Sequence, residues 1–205
     1  MNNNPSKAQK WNDRYLGNSY FYGTEPNDYL VHSTTQLPLG TALCLADGEG
    51  RNAVWLARQG WVTSSVDFSV HGVDKARQLA DKYGVSLDAQ VDDLETYEIT
   101  QNTFDLIVSI FAHTPSHVRK RIHQQVVDSL KPGGVFVLEG YTPAQLSKNT
   151  GGPKDAASMP TARELRIELD GLIFEQIEEL DREILEGAGH TGMASVVQVI
   201  ARKPA

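Results

Sequence analysis

The segment from Ala42 to Phe68 leaves few folds open. An apolar run, Ala42-Leu43-Cys44-Leu45, meets the turn Ala46-Asp47-Gly48-Glu49-Gly50-Arg51-Asn52. A helical stretch from Ala53 to Gln59 follows, and a second apolar run from Val62 ends in Asp67 and Phe68. Gly48 and Gly50 let the backbone bend sharply and let a ligand come close. The helix behind them turns its unpaired N–H groups and the positive end of its dipole toward that bend. A carboxylate at the tip of the next strand is placed to accept both hydroxyls of a ribose. The pattern is one βαβ unit of a nucleotide-type binding fold, with a nucleoside in the ligand. An ordinary βα turn with a solvated aspartate would show the same letters.

Further βα units follow in order. Ser69 is a good N-cap for a helix carrying Val73, Ala76, Leu79, Ala80 and Tyr83 at helical spacing, which Gly84 stops. Val85, Leu87, Ala89 and Val91 alternate as a short strand, ending in the acidic pair Asp92-Asp93 and Leu94. The nearly continuous apolar run Thr103 to Phe111 suits a central strand buried on both faces. Val118, Ile122, Val126, Val127 and Leu130 mark an amphipathic helix. Its Arg119, Lys120, Arg121 and His123 are read as a solvated face, and His32, His71 and His117 are also expected to face solvent. Lys131-Pro132-Gly133-Gly134 reads as a turn into a fifth strand, Val135 to Leu138. A capping box at Thr161-Ala162-Arg163-Glu164 opens another helix. Two extended segments, Phe174 to Glu186 and Met193 to Lys203, close the chain as an antiparallel hairpin. The fold class is therefore α/β: a doubly wound, Rossmann-like, mostly parallel sheet with a C-terminal antiparallel hairpin and helices on both faces.

At 205 residues the chain reads as a single domain, 1–205. Residues 1–30 form an aromatic arm, with the first nine frayed. Trp11 and Tyr15 are spaced to share a helical face, while Tyr20, Phe21 and Tyr22 lie between Gly17 and Gly23. The arm either packs its rings on the domain or serves as a lid. Residues 139–160, rich in glycine and proline, form a long loop on the acceptor side, where such a length is usually functional or disordered. A net charge of −7 disfavours nucleic acid and anionic membrane as partners. No apolar run approaches the roughly 20 residues needed to span a bilayer, and the polar N-terminus lacks a signal-peptide core. The expected location is cytoplasmic. The single cysteine, Cys44, excludes an internal disulfide and a multi-cysteine metal site, and no metal is expected. Cys44 is read as a small buried side chain.

The ordered set of motifs resembles the class I S-adenosylmethionine-dependent methyltransferases, and within them the tellurite-resistance-type methyltransferases. It consists of the glycine loop, Asp67, Asp92-Asp93-Leu94, Phe104 to Ser109, and Leu130 to Gly134. The resemblance implies a seven-stranded sheet and S-adenosylmethionine as cofactor. It places the backbone of Ala46, Asp47, Gly48 and Gly50 against the methionine part, with Asn52 completing the loop motif. Asp67 takes the ribose hydroxyls, Phe68 lies against adenine, and Asp93 accepts from the adenine amino group beside Asp92 and Leu94. Ser109 and Ile110 floor the site near the sulfonium, and Tyr15 and Tyr22 cover it from the arm. This chain has Cys44 and Ala46 where the family usually has an acid and a glycine. Asp47 stands ready to replace part of the lost charge near the cofactor's amino group.

Methyl transfer from a sulfonium is an in-line displacement, so the protein mainly orients the reactants and excludes water. A chalcogen anion or thiolate needs little acid–base help, whereas a hydroxyl or amine needs a base. His113, after the central strand, and His190, in the terminal glycine-rich turn, are the candidate catalytic residues. Glu139 and Tyr141 are candidates to line the acceptor pocket. The expected acceptor is a small molecule and the expected assembly a monomer or homodimer. Two other readings fit the letters. One is an NAD(P)-dependent oxidoreductase, because Gly48-x-Gly50-x-x-Ala53 loosely fits that fingerprint. The other is a non-catalytic S-adenosylmethionine-binding module, motivated by Cys44 and Ala46.

Overall fold

A computed structural model describes residues 7–148, 150–187 and 189–205, apart from the side chains of Lys7 and His190. The arm contributes α1 (Lys7–Tyr15) and α2 (Asp28–Thr34). The βα units are β1 (Thr41–Leu45), α3 (Arg51–Arg58), β2 (Val62–Asp67), α4 (Val70–Tyr83), β3 (Asp88–Val91), β4 (Phe104–Ile110) and α5 (Ser116–Ser129). Then come β5 (Leu130–Tyr141), two 3₁₀ turns, α6 (Ala162–Glu168), β6 (Ile173–Glu186) and β7 (His190–Arg202). Among the described residues no helix is long and apolar enough to cross a membrane.

The seven strands form one sheet in the order β3-β2-β1-β4-β5-β7-β6, with β7 antiparallel to both of its neighbours. Alternation along the strands splits the core. Ala42, Cys44, Leu106, Val108, Val135 and Val137 point to the face covered by α2 and α3. Leu43, Leu45, Ile107, Phe136 and Leu138 point to the face covered by α5 and α6. The chain reverses its winding between β1 and β4, and the crevice beyond their carboxyl ends is where ligands of such sheets bind.

Several local expectations change. Helix α1 begins at Lys7, inside the stretch read as frayed. Strand β3 is shorter than its alternation suggests, because Val85 and Leu87 pack on α4 rather than pair. The Lys131–Gly134 turn lies within β5, where Leu130 pairs with Phe104 before a register shift to Leu106 and Val135. The hairpin's second strand starts at His190, so its turn is tighter than the Gly187–Gly192 stretch implied. Arg119 and His123 are not solvated: both are buried, and both bond to Glu168 of α6. Arg119 donates from Nε at 3.0 Å, and His123 Nδ1 lies 2.8 Å from the same carboxylate. These residues sit one helical turn apart on α5, on the side that α6 covers.

A second buried network joins segments far apart in sequence. The side chain of Asn27 caps α2 by accepting from Leu30 N–H at 2.9 Å. Its amide donates to Glu139 at 2.7 Å and to Glu186 at 2.8 Å. Glu139 is fully buried. It also accepts from Gln198 at 2.6 Å and lies 3.0 Å from the Arg182 guanidinium, which spans to Asp28. Glu186 is held by Arg51 at 2.6 Å. The main-chain N–H of Asn27 donates to Asn52 Oδ1 at 3.0 Å. Asp28, Glu139 and Glu186 bring three carboxylates together, but two guanidiniums and an amide already meet their charge. The network fixes the start of α3, the end of β5 and the hairpin tip, and these three surround the crevice.

Candidate active site

The crevice opens into a cavity of about 480 Å³, within the usual size of a small-molecule site. One wall is the loop after β1. The tip of β2 is bonded to that loop: Asp67 accepts from the N–H of Gly48 at 2.9 Å and from that of Ser69 at 2.8 Å. The loop and the carboxylate are therefore adjacent, and both line the cavity. Burial raises the Asp67 carboxyl to about 6, against the pull of those two N–H donors.

Two residues at the strand tips adopt the left-handed conformation that L side chains rarely take: Ala46 after β1, with φ 49°, and Phe111 after β4, with φ 53°. Both line the cavity. Strained backbone of this kind collects at functional sites. Glycine would take this conformation at no steric cost, and Ala46 takes it with a Cβ. Gly50, by contrast, serves packing: a Cβ there would stand 2.5 Å from the Cβ of Ala76 on α4. It does not line the cavity.

The arm forms the roof. Tyr15, Trp11 and Tyr22 pack in series as tilted pairs, with ring centres 5.5 and 6.3 Å apart. Asn12 accepts from Ser69 Oγ at 2.7 Å. Phe21 N–H donates to Glu49 at 2.7 Å, and Glu49 in turn pairs with buried Lys75 at 2.7 Å. The arm is thus pinned to the same loop that bears the glycines. Burial, and then the Asp67 carboxylate, hold the Tyr15 phenol far above its ordinary range, so it stays neutral. The roof meets the hairpin tip where Phe21 and Tyr22 press on Gly187 and Gly189, and a side chain at Gly189 would collide with both rings.

The far wall comes from β4 and β5. Phe111, His113 and Tyr141 pack together, with ring centres 4.8 Å apart for Phe111–Tyr141 and 5.3 Å for His113–Tyr141. His113 Nε2 accepts the Tyr141 N–H at 3.0 Å, so that nitrogen is engaged with backbone. Burial holds the Tyr141 phenol protonated. Lys10, Arg14 and Lys154 also line the cavity. Arg14 lies 4.4 Å from the Trp11 ring centre and donates to Tyr22 Oη.

Of the residues expected from sequence, Tyr15, Tyr22, Ala46, Asp47, Gly48, Asn52, Asp67, Ile110 and His113 line this cavity. Phe68, Asp92, Asp93, Leu94 and Ser109 do not. Asp92 and Asp93 are exposed and accept from neighbouring backbone N–H groups, and Leu94 is buried in the core. Glu139 sits in the buried network instead of the acceptor pocket, whereas Tyr141 lines it. The side chain of His190 lies outside the described residues. Sequence reasoning missed Phe111, Arg14, Arg51 and Lys154. The signal for Phe111 was its place immediately after the central strand.

Among the described residues that line the cavity, one buried side-chain atom has no hydrogen-bond partner. Asp47 Oδ2 is shielded from solvent and makes no hydrogen bond among the described residues, while Ala53 N–H supports the carboxyl group. An orphaned acceptor beside the bend, with Asp67 close by, fits a ligand that brings both a cationic N–H donor and a vicinal diol. S-adenosylmethionine has both.

Residues 42–134 match a family model described as a methyltransferase domain. A comparison with curated proteins finds no match. Among solved structures, TehB from Haemophilus influenzae is 18% identical with a TM-score of 0.71, over 86% of this chain and 62% of that one. The chain therefore spans less than two thirds of that protein. An S-adenosylmethionine-dependent methyltransferase from Clostridium acetobutylicum is 15% identical with a TM-score of 0.68, over 87% and 90% of the two chains. The [4+2]-cyclase SpnF is 16% identical with a TM-score of 0.68, over 98% of each. Likeness at these identities is one of fold.

Proposed function

We propose, from the match of residues 42–134 to a methyltransferase-domain model, that the chain moves the methyl group of S-adenosylmethionine to a small soft nucleophile, a thiolate or chalcogen oxyanion. The donor supplies an activated methyl group when bound. The observation that carries the choice of acceptor is the far wall of the cavity. Its histidine accepts a backbone N–H through Nε2, and its tyrosine is held protonated by burial and by the charges of Glu186 and Glu139. Such a wall orients an acceptor but does not deprotonate one through that nitrogen, which suits a nucleophile that arrives as an anion.

The residues then divide the work. Gly48 and Asp67 hold the nucleoside, and Asp47 and the loop backbone hold the amino-acid end. Ile110 and Phe111 floor the centre. Tyr15, Trp11 and Tyr22 keep water from the reacting atoms, and the rim cations Lys10, Arg14 and Lys154 draw in negative charge.

The test is a turnover screen with S-adenosylmethionine against small thiols, chalcogen oxyanions and amines, alongside calorimetry with S-adenosylhomocysteine and NAD. Methylation of thiols or chalcogen acceptors, with binding of S-adenosylhomocysteine and not NAD, is the expected result. Turnover of amines alone would refute the acceptor class. Cofactor binding without any turnover would favour a non-catalytic module, and binding of NAD alone would restore the oxidoreductase reading.

A further inference from the structure

We infer that Asp47 receives the α-ammonium group of the cofactor as a carboxylate, and that the site releases one proton to solvent when it fills. The inference rests on the methyltransferase reading and goes beyond it, because it makes cofactor binding a proton-coupled event set by one residue. The geometry carries it. Asp47 lies at the bend between β1 and α3 and lines the cavity. Its Oδ2 is buried and unpartnered among the described residues. A buried acceptor without a donor is costly, and more so if it is charged, so the ligand-free site favours the protonated acid.

The surrounding groups give the carboxylate little help. Arg51, on α3, is committed to Glu186 at 2.6 Å. Asp67, from β2, is a like charge. Cys44, from β1, is buried, and its thiol is raised well above the ordinary range by that burial and by Asp47 itself. Tyr15, from α1, faces Asp67 as a neutral phenol. Glu49 in the same loop turns away to Lys75 at 2.7 Å. Desolvation, outweighing Ala53 N–H and Arg51, lifts the Asp47 carboxyl to about 8.

An ammonium arriving at Oδ2 reverses the balance. The acid O–H bond breaks, its proton leaves to buffer, and a charge-assisted N–H···O⁻ bond forms in its place. The ammonium keeps its own protons, so the net change is one proton released per ligand bound. Asp67, raised to about 6, is already mostly ionised at pH 7, so ribose binding there adds little to the count.

The experiment titrates the full chain with S-adenosylhomocysteine at pH 7 in two buffers of different ionisation enthalpy. The difference in apparent binding enthalpy gives the protons released. A group with a pKa near 8 that becomes fully ionised releases ~0.9 proton at this pH. The same titration with 5′-methylthioadenosine, which keeps the nucleoside and lacks the ammonium, should show close to none, and it needs no variant. Asp47→Asn should abolish the release and weaken S-adenosylhomocysteine roughly tenfold or more. Binding of S-adenosylhomocysteine without buffer dependence would overturn the inference, as would equal release with methylthioadenosine or undiminished release from Asp47→Asn. If neither nucleoside binds, the methyltransferase reading falls first and the inference with it.

Discussion

Replacing Asn27 with alanine removes three hydrogen bonds at once, and their partners set the magnitude. The cap on α2 is lost, worth ~1 kcal/mol. Glu139 and Glu186 each lose an amide donor, at 2.7 and 2.8 Å. A buried acceptor deprived of its partner costs about 1–3 kcal/mol. Here the lower half applies, because Gln198 and Arg182 remain on Glu139 and Arg51 remains on Glu186. The sum is ~4 kcal/mol. Asn27→Ser keeps a capping oxygen and loses the amide donor, so it should cost ~3 kcal/mol, and the gap between the variants isolates the cap. Guanidinium unfolding followed by circular dichroism measures both. With a slope of about 5 kcal/mol/M, the alanine variant should unfold ~0.8 M earlier. Asn27→Asp keeps the shape and the cap but sets a third carboxylate against two. Its folded-state pKa would be raised above the unfolded value, so its stability is present at low pH and lost as pH rises. It should therefore recover toward wild type on acidification. An alanine variant destabilised by less than about 1.5 kcal/mol would refute the idea that this amide holds the two carboxylates in place.

Two further outcomes are expected. Gly50→Ala forces a left-handed residue (φ 88°) and brings a methyl to 2.5 Å from Ala76, for a combined loss of about 2–4 kcal/mol by thermal or chemical unfolding. A loss under 1 kcal/mol would mean that α4 yields freely. Glu168→Ala leaves the buried guanidinium of Arg119 only the Ala157 carbonyl and the more distant, half-exposed Glu164, and should cost ~3 kcal/mol. Asp74→Ala, at the exposed pair with Arg77, should cost under about 1 kcal/mol. Equal losses for these two would deny that burial sets the difference.

The βαβ unit was legible because it is local. Ala42 to Asp67 states its strand, bend, helix and strand within one window, and the structure brings the bend and the acid to hydrogen-bonding distance. The terminal hairpin was legible because two extended runs flank a glycine turn. Other features depend on what lies opposite. Arg119 and His123 look like a solvated face until Glu168 arrives on another helix. Nothing in Thr24-Glu25-Pro26-Asn27 announces two carboxylates far along the chain. Asp92 and Asp93 looked like ligand-facing acids at a strand tip, yet each is satisfied by its own neighbouring backbone. The aromatic arm had no usable period, since its rings are ordered by Glu49, Ser69 and the hairpin tip, not by each other alone.

The placement of Asn27 bears on how the chain is born. Its amide leaves the ribosome well before the acids that it holds, which lie 112 and 159 positions later. Domains fold as they are synthesised only when their partners are already outside the tunnel. The seat of Asn27 is therefore complete only once the β6–β7 hairpin is made, and a nascent chain stopped short of Glu186 would hold its aromatic arm by Glu49 and Ser69 but not by the hairpin tip.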